Sequence, residues 1–198
     1  MPNPSIDLSK PVVVGITGAS GIGYGLRLIQ ALSKFHKKPY VILSKSAEVV
    51  TKVETDFTLK DIIGQAEKVY DPENIAAEVA SGSFKVGGMV VCPCSMKTLG
   101  LIAHGIESNL IVRSALCQLK EGRKLVLVPR ETPLSLQIIE NMKSAFLAGA
   151  TILPAMPGFY HKPTSILDLE NFIVGKILDQ FEIDHNLFKR WGSEFNSD

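Results

Sequence analysis

The sequence predicts a doubly wound α/β fold, a mostly parallel sheet covered by helices on both faces. Three observations predict it. Short β-branched runs that are apolar on every side recur along the chain, as in a sheet buried on both faces. Segments with helical spacing alternate with them. The first of these strands ends directly in a glycine cluster that opens a helix.

Residues 11–16, Pro-Val-Val-Val-Gly-Ile, form the first strand, and residues 20–34 follow with helical spacing through Leu28, Ile29 and Leu32. Residues 40–43 read as a second strand. The polar stretch beyond them gives no clear pattern until residues 86–92, which read as another strand; residues 124–128 and 151–153 supply two more. Leu134, Ile138, Met142 and Phe146 recur every four residues behind Thr132 and Pro133. That pattern predicts a helix with Thr132 as N-cap and Pro133 at the first helical position, ended by Gly149. Residues 154–163, rich in Pro and aromatics, read as an ordered loop, and residues 166–181 as a helix. Strand and helix in alternation imply right-handed crossovers, and ligands of such sheets bind beyond the carboxyl ends of the strands. Each segment just after a strand is therefore a candidate site.

A length of 198 residues with 45% hydrophobic and 21% charged residues suits one globular domain over 1–198, with a core of about 11–181. The tail, 182–198, carries the chain's single Trp, Trp191, and is expected to pack over a pocket or a neighbouring subunit. Lys and Arg total 21 against 20 Asp and Glu, a formal net charge of +1, so no broad electrostatic footprint exists for nucleic acid or an anionic membrane. The first ten residues have neither the apolar core of a secretory signal nor an Arg-rich transit pattern, and no apolar run reaches the roughly 18 residues of a membrane span. A cytoplasmic location is the expectation. Cys92, Cys94 and Cys117 are odd in number, and Cys-Pro-Cys is neither a redox C-x-x-C nor a zinc knuckle. They read as small buried residues, and no metal site is expected.

In Gly15-Ile16-Thr17-Gly18-Ala19-Ser20-Gly21 the glycines allow close backbone approach, and the first amides of the following helix make an anion site. The turn alone does not say which phosphate-bearing molecule binds. A nicotinamide-dependent dehydrogenase is one rival, but the glycine spacing is one residue short. The second strand is followed by Ser44, Lys45 and Ser46 in place of an acidic ribose ligand, and no Tyr-x-x-x-Lys occurs. No glycine-rich stretch has the Lys-Ser or Lys-Thr of a Walker loop. After the strand at 86–92, Ser95 is placed as an N-cap; Ser95, Met96, Lys97 and Thr98 there can meet a carbonyl-rich ring or a phosphate, or simply cap the helix. Arg130 can grip phosphate and Glu131 can move a proton, or the two can be a solvated ion pair. Lys176, beside Phe172 and Ile173, and Tyr160 in its loop have ordinary packing readings from pattern alone.

Together these blocks resemble the flavin prenyltransferases, over about residues 12–179. The resemblance is carried by Thr17-Gly18-Ala19-Ser20-Gly21 with Tyr24-Gly25-Leu26-Arg27, Cys94-Ser95-Met96-Lys97-Thr98-Leu99, Ser108-Asn109-Leu110, Arg130-Glu131-Thr132-Pro133-Leu134, and Phe159-Tyr160-His161 with Pro163. It implies a three-layer flavodoxin-like Rossmann fold and bound FMN. It also implies metal-independent transfer of a dimethylallyl group from dimethylallyl monophosphate to N5 and C6 of reduced FMN, the product serving a partner decarboxylase. By the same resemblance Gly18, Ala19, Ser20, Ser44, Ser95, Met96, Lys97, Thr98 and Arg130 would contact FMN, and Tyr160 and Lys176 the prenyl phosphate, with Arg130 also facing it. Ser20 and Glu131 are the candidates for proton transfer, and Trp191 for closing the pocket. The family implies a homo-oligomer, commonly a dodecamer. The apolar residues 99–103, with Leu110, Ile111 and Leu116, exceed what a small sheet needs and are expected at subunit contacts, where Lys120 could reach a neighbour's phosphate. A peptidyl-cysteine decarboxylase would share fold and FMN, but its Pro-Ala-Met-Asn segment is broken here by Pro157. A non-catalytic flavin carrier is the third reading.

Overall fold

The structure, a computed structural model, describes residues 5–192. Its strands are β1 (Val13–Ile16), β2 (Tyr40–Leu43), β3 (Lys68–Tyr70), β4 (Met89–Cys94), β5 (Leu125–Pro129) and β6 (Thr151–Ile152). They form one sheet in the order β3-β2-β1-β4-β5-β6, with every pairing parallel. The order runs outward from β1 in both directions, so the crossovers reverse between β1 and β4, the switch point beside whose carboxyl edge sheets of this kind bind their ligands.

The helices are α1 (Ile22–Phe35), α2 (Lys45–Glu54), α3 (Leu59–Gln65), α4 (Met96–Ala103), α5 (Leu110–Lys120), α6 (Leu136–Leu147) and α7 (Ile166–Gln180). Alternate strand residues feed two cores. Val14, Ile16, Val41, Val90 and Val126 pack against α1, α3 and α7, whereas Val13, Ile42, Met89, Val91 and Leu127 pack against α4, α5 and α6. The result is the three-layer arrangement that the apolar strands predict.

Several boundaries differ from the sequence reading. β3 lies in the stretch that gave no clear pattern, because it is a three-residue edge strand with one buried side chain, Tyr70. β4 runs two residues past Cys92, with an irregularity between Val91 and Cys94 where Pro93 cannot donate to the ladder. The helix expected behind Thr132 and Pro133 starts later. Ser135 is its N-cap, its hydroxyl accepting from the Ile138 amide at 3.4 Å, and Thr132 and Pro133 belong to the preceding turn. The four-residue spacing misled because only Ile138 and Met142 reach the core; Leu134 precedes the helix and Phe146 is 59% exposed. All three cysteines are buried, and desolvation pushes the Cys94 thiol up to about 12.

The apolar surplus is also placed differently from expectation. Leu99, Ile102, Leu110 and Ile111 are buried inside the chain itself, against β4 and β5. Large exposed apolar side chains occur on and around α6, with Leu136 68% and Leu147 57% exposed, on the loop carrying Met156 and Phe159, and singly on α2, α3 and the start of α7, where Val53, Ile63 and Ile166 stand out.

Helix α1 sits hard on the sheet at Gly25, where a Cβ would fall onto the Cys92 carbonyl oxygen. Ala has the higher helix propensity by about 1 kcal/mol, but a buried backbone oxygen cannot swing aside. Gly25→Ala is therefore expected to lower unfolding free energy by about 1–3 kcal/mol, as read by urea denaturation.

Candidate active site

The switch-point crevice is stitched by one buried hydroxyl. Thr17, 2% exposed at the end of β1, donates to the Pro93 carbonyl at 2.7 Å and accepts from the Ser95 amide at 2.8 Å. It thereby fixes the glycine turn relative to the start of α4. Ser95 then caps α4, accepting from the Thr98 amide at 3.4 Å and approaching the Thr98 hydroxyl at 3.1 Å. The first amides of α4, Met96 and Lys97, lie outside the helix's own ladder and carry its positive end.

On the other side of the turn, Ser44 caps α2, accepting from the Ala47 amide at 3.1 Å. Gly18 is pressed against this helix start: a Cβ there would lie 2.6 Å from that of Ser46. Ala19 is buried and Ser20 exposed, and Gly21 adopts φ 90, which L side chains rarely reach, to enter α1. Arg130, just past β5, donates through Nε to the Ser20 carbonyl at 3.0 Å. The structure thus brings Gly18, Ala19, Ser20, Ser44, residues 95–98 and Arg130 together along the carboxyl edges of β1, β2, β4 and β5.

One expectation at this edge is not met. The first amides of α1 are already engaged: Gly21 and Ile22 donate to Glu54 Oε2 at 2.9 and 3.0 Å. Glu54, the last residue of α2, occupies the position of an anion at that helix start. Burial pushes its carboxyl up, but the Ser20 hydroxyl, the two amides and the Arg130 charge outweigh this and hold it below the ordinary carboxylate range. Sequence reasoning missed Glu54 because a contact spanning 33 residues leaves no local spacing to read. The open helix starts, those of α2 and α4, are therefore where an external phosphate would find amides. Glu131, next to Arg130, accepts from the adjacent Thr132 amide at 3.0 Å.

A second group gathers on α7. Tyr160 packs edge-on against Phe172 and Trp191, with ring centroids 5.7 and 5.3 Å apart. Lys176 lies 3.4 Å from Asp179, which also binds Arg190. The described part of the tail, up to Gly192, lies over α7; the expected tail residues 193–198 fall outside the described residues. Lys120 belongs to neither group. It ends α5, 4.0 Å from Glu121, just before β5 begins at the opposite edge of the sheet.

The Flavoprotein family profile matches residues 2–177. The flavin prenyltransferase UbiX of Thauera aromatica is 44% identical over 91% of this chain and 93% of its own. That of Alkalihalophilus pseudofirmus is 48% identical over 93% and 98%. The chain belongs to the flavin prenyltransferase family. The crystal structure of AnUbiX (PadA1) in complex with FMN and dimethylallyl pyrophosphate superposes with a TM-score of 0.91 at 43% identity, covering 93% of this chain and 98% of that one. A dodecameric FMN-dependent UbiX-like decarboxylase from Escherichia coli O157:H7 follows at 0.89 and 41%, covering 92% and 100%. The peptidyl-cysteine decarboxylase EpiD is only 14% identical, with a TM-score of 0.62, so its likeness to this prenyltransferase family member is one of fold.

Glu54 gives a pH prediction. A carboxyl held low in the folded state stabilises above its unfolded pKa, and that stability is lost as pH falls through the folded value. Glu54→Gln is expected to lower thermal stability at pH 7, with the gap to the parent closing as pH falls below the ordinary glutamate range, in paired melts across pH.

Proposed function

We propose that this chain is a flavin prenyltransferase that moves a dimethylallyl group from dimethylallyl monophosphate to N5 and C6 of reduced FMN, making prenylated FMN for a partner decarboxylase. The observation that carries the reading is the 0.91 superposition on a relative holding FMN and dimethylallyl pyrophosphate. The donors at the switch point have the chemistry a flavin needs. Hydroxyls of Ser44, Ser95 and Thr98, the amides opening α2 and α4, and the cations Lys97 and Arg130 can meet a phosphate and a carbonyl-rich ring. Gly18, Ala19, Ser20 and Met96 shape the wall beside them. When bound, reduced FMN supplies the nucleophilic nitrogen and carbon.

The chain's own residues would do the rest. Breaking the allylic C–O bond leaves negative charge on the departing phosphate, which Arg130, Lys176 and the Tyr160 hydroxyl stabilise as it develops. Nearby aromatic faces, Trp191 among them, stabilise the allylic cation. Ser20, whose hydroxyl helps hold the Glu54 carboxyl low, and Glu54 itself are proton-transfer candidates beside the glycine turn, and Glu131, next to Arg130, is another. Lys120, at the opposite sheet edge, would act on a neighbouring subunit's phosphate. This fits a homododecamer of single-domain chains, closed through the apolar surface around α6. Three free thiols suit the reducing cytoplasm as its location. No helix among the described residues is long and apolar enough to cross a membrane.

Anaerobic incubation with reduced FMN and dimethylallyl monophosphate should give a flavin heavier by one dimethylallyl unit in mass spectra. FMN binding without that gain would leave a flavin carrier. Replacing the true proton-transfer carboxylate should cost about 10²–10⁴-fold in rate, so Glu54→Gln and Glu131→Gln, assayed side by side, assign the role. Full activity in Glu131→Gln would remove Glu131 from the mechanism.

A further inference from the structure

The carboxylate of Asp179 is crowded with partners. Arg190 grips it with both guanidinium nitrogens, NH1 to Oδ2 at 2.9 Å and NH2 to Oδ1 at 2.7 Å. His185 Nε2 lies 3.2 Å from Oδ1, and Lys176 Nζ 3.4 Å from Oδ2. The Asp179 side chain is only 20% exposed and that of His185 fully buried, so the fork is partly shielded from solvent. Burial pushes the Asp179 carboxyl up, but Arg190 and Lys176 outweigh that and hold it below the ordinary range, so it is ionised near neutrality.

The contacts form a chain of connection. Lys176 and Asp179 stand one turn apart on α7, while Arg190 and His185 belong to the tail beyond it. Arg190 also lies over the Phe188 ring, 5.3 Å from its centroid, and Phe188 packs on Phe172 at 4.9 Å. The residue after Arg190 is Trp191, whose ring meets Tyr160. Three of the residues assigned to the prenyl phosphate and its pocket, Tyr160, Lys176 and Trp191, are thus tied to one carboxylate. Lys176 and Arg190 both reach this carboxylate, and Asp184 also lies within electrostatic reach of Arg190. A bidentate Arg–carboxylate pair fixes orientation as well as position.

We infer that Asp179 is a positioning residue for the prenyl-phosphate site: its carboxylate clasps Lys176 and Arg190, and so holds the tail with Trp191 against Tyr160. This rests on the prenyltransferase reading above. The role is separable from simple charge. Removing the carboxylate makes the cluster more positive, so if attraction alone mattered, Asp179→Asn would bind the substrate phosphate more tightly. If positioning matters, it binds more weakly.

The test compares the parent with Asp179→Asn, Asp179→Glu and Arg190→Gln, measuring kcat and KM for dimethylallyl monophosphate, inhibition by inorganic phosphate, and fluorescence anisotropy of the single Trp. The inference expects KM to rise about tenfold in Asp179→Asn, equivalent to about 1.4 kcal/mol, with kcat changed far less. Inhibition by phosphate should weaken in parallel and Trp191 anisotropy should fall. Asp179→Glu should recover most of the loss, and Arg190→Gln, which leaves α7 intact, should reproduce the KM rise even where Asp179→Asn folds poorly. An unchanged or lowered KM in Asp179→Asn and Arg190→Gln overturns the inference while the active parent upholds the prenyltransferase reading. A parent that binds FMN and forms no adduct overturns both.

Discussion

The geometry of the crevice depends on the Thr17 hydroxyl. It sits where the sheet's connections reverse, bonded on one side to the Pro93 carbonyl and on the other to the Ser95 amide. A buried hydroxyl that donates one bond and accepts another is held from both sides, and losing either partner would strand a polar group out of water. Through it the end of β1 and the start of α4 cannot drift apart, and the glycine turn, Ser95 cap and Thr98 hydroxyl keep a fixed spacing. The site is built on strand ends and helix starts, and its accuracy derives from the rigidity of the sheet beneath it.

Much of this was legible in the sequence because it follows local rules. The apolar runs at β1, β2, β4 and β5 announced a sheet buried on both faces, and Ser95 stood where a cap must stand. What was not legible depends on distance along the chain or on competition between equivalent signals. Thr132 and Ser135 are both good cap residues three positions apart, and the proline after Thr132 weights the pattern toward the wrong one; packing of Ile138 and Met142 decides for Ser135. Residues 99–103, with Leu110, Ile111 and Leu116, look superfluous by count, yet their apolar side chains pack into or against the second core, since a six-stranded sheet has two complete faces to cover. Glu54 and Asp179 were not legible because the partners that decide their roles, Gly21 and Ile22 for one and Arg190 for the other, lie in another segment.

These two carboxylates organise the electrostatics of the surface in similar ways. Glu54 supplies the negative charge that a helix start attracts, and brings Ser20 and Arg130 into the same network. Asp179 gathers cations that would otherwise repel one another and wander on long side chains. In both places an internal anion sets the positions of groups suited to receive an external one. Family membership sets which ligands to expect, and the network of this chain shows how its own residues are held for them.

Helix α1 is approached closely from two directions. Gly25 gives room to the Cys92 carbonyl on the sheet side, while Gly23 leaves the volume that the Glu170 carboxylate of α7 fills. The helix is consequently held as if in a vice, with one jaw of backbone and one of side chain. The turn that precedes it inherits that stillness. A loop rich in glycine would be expected to be among the softest parts of a protein, but here the missing side chains remove the slack between helix and neighbours, and the same residue type that loosens a free chain stiffens this one.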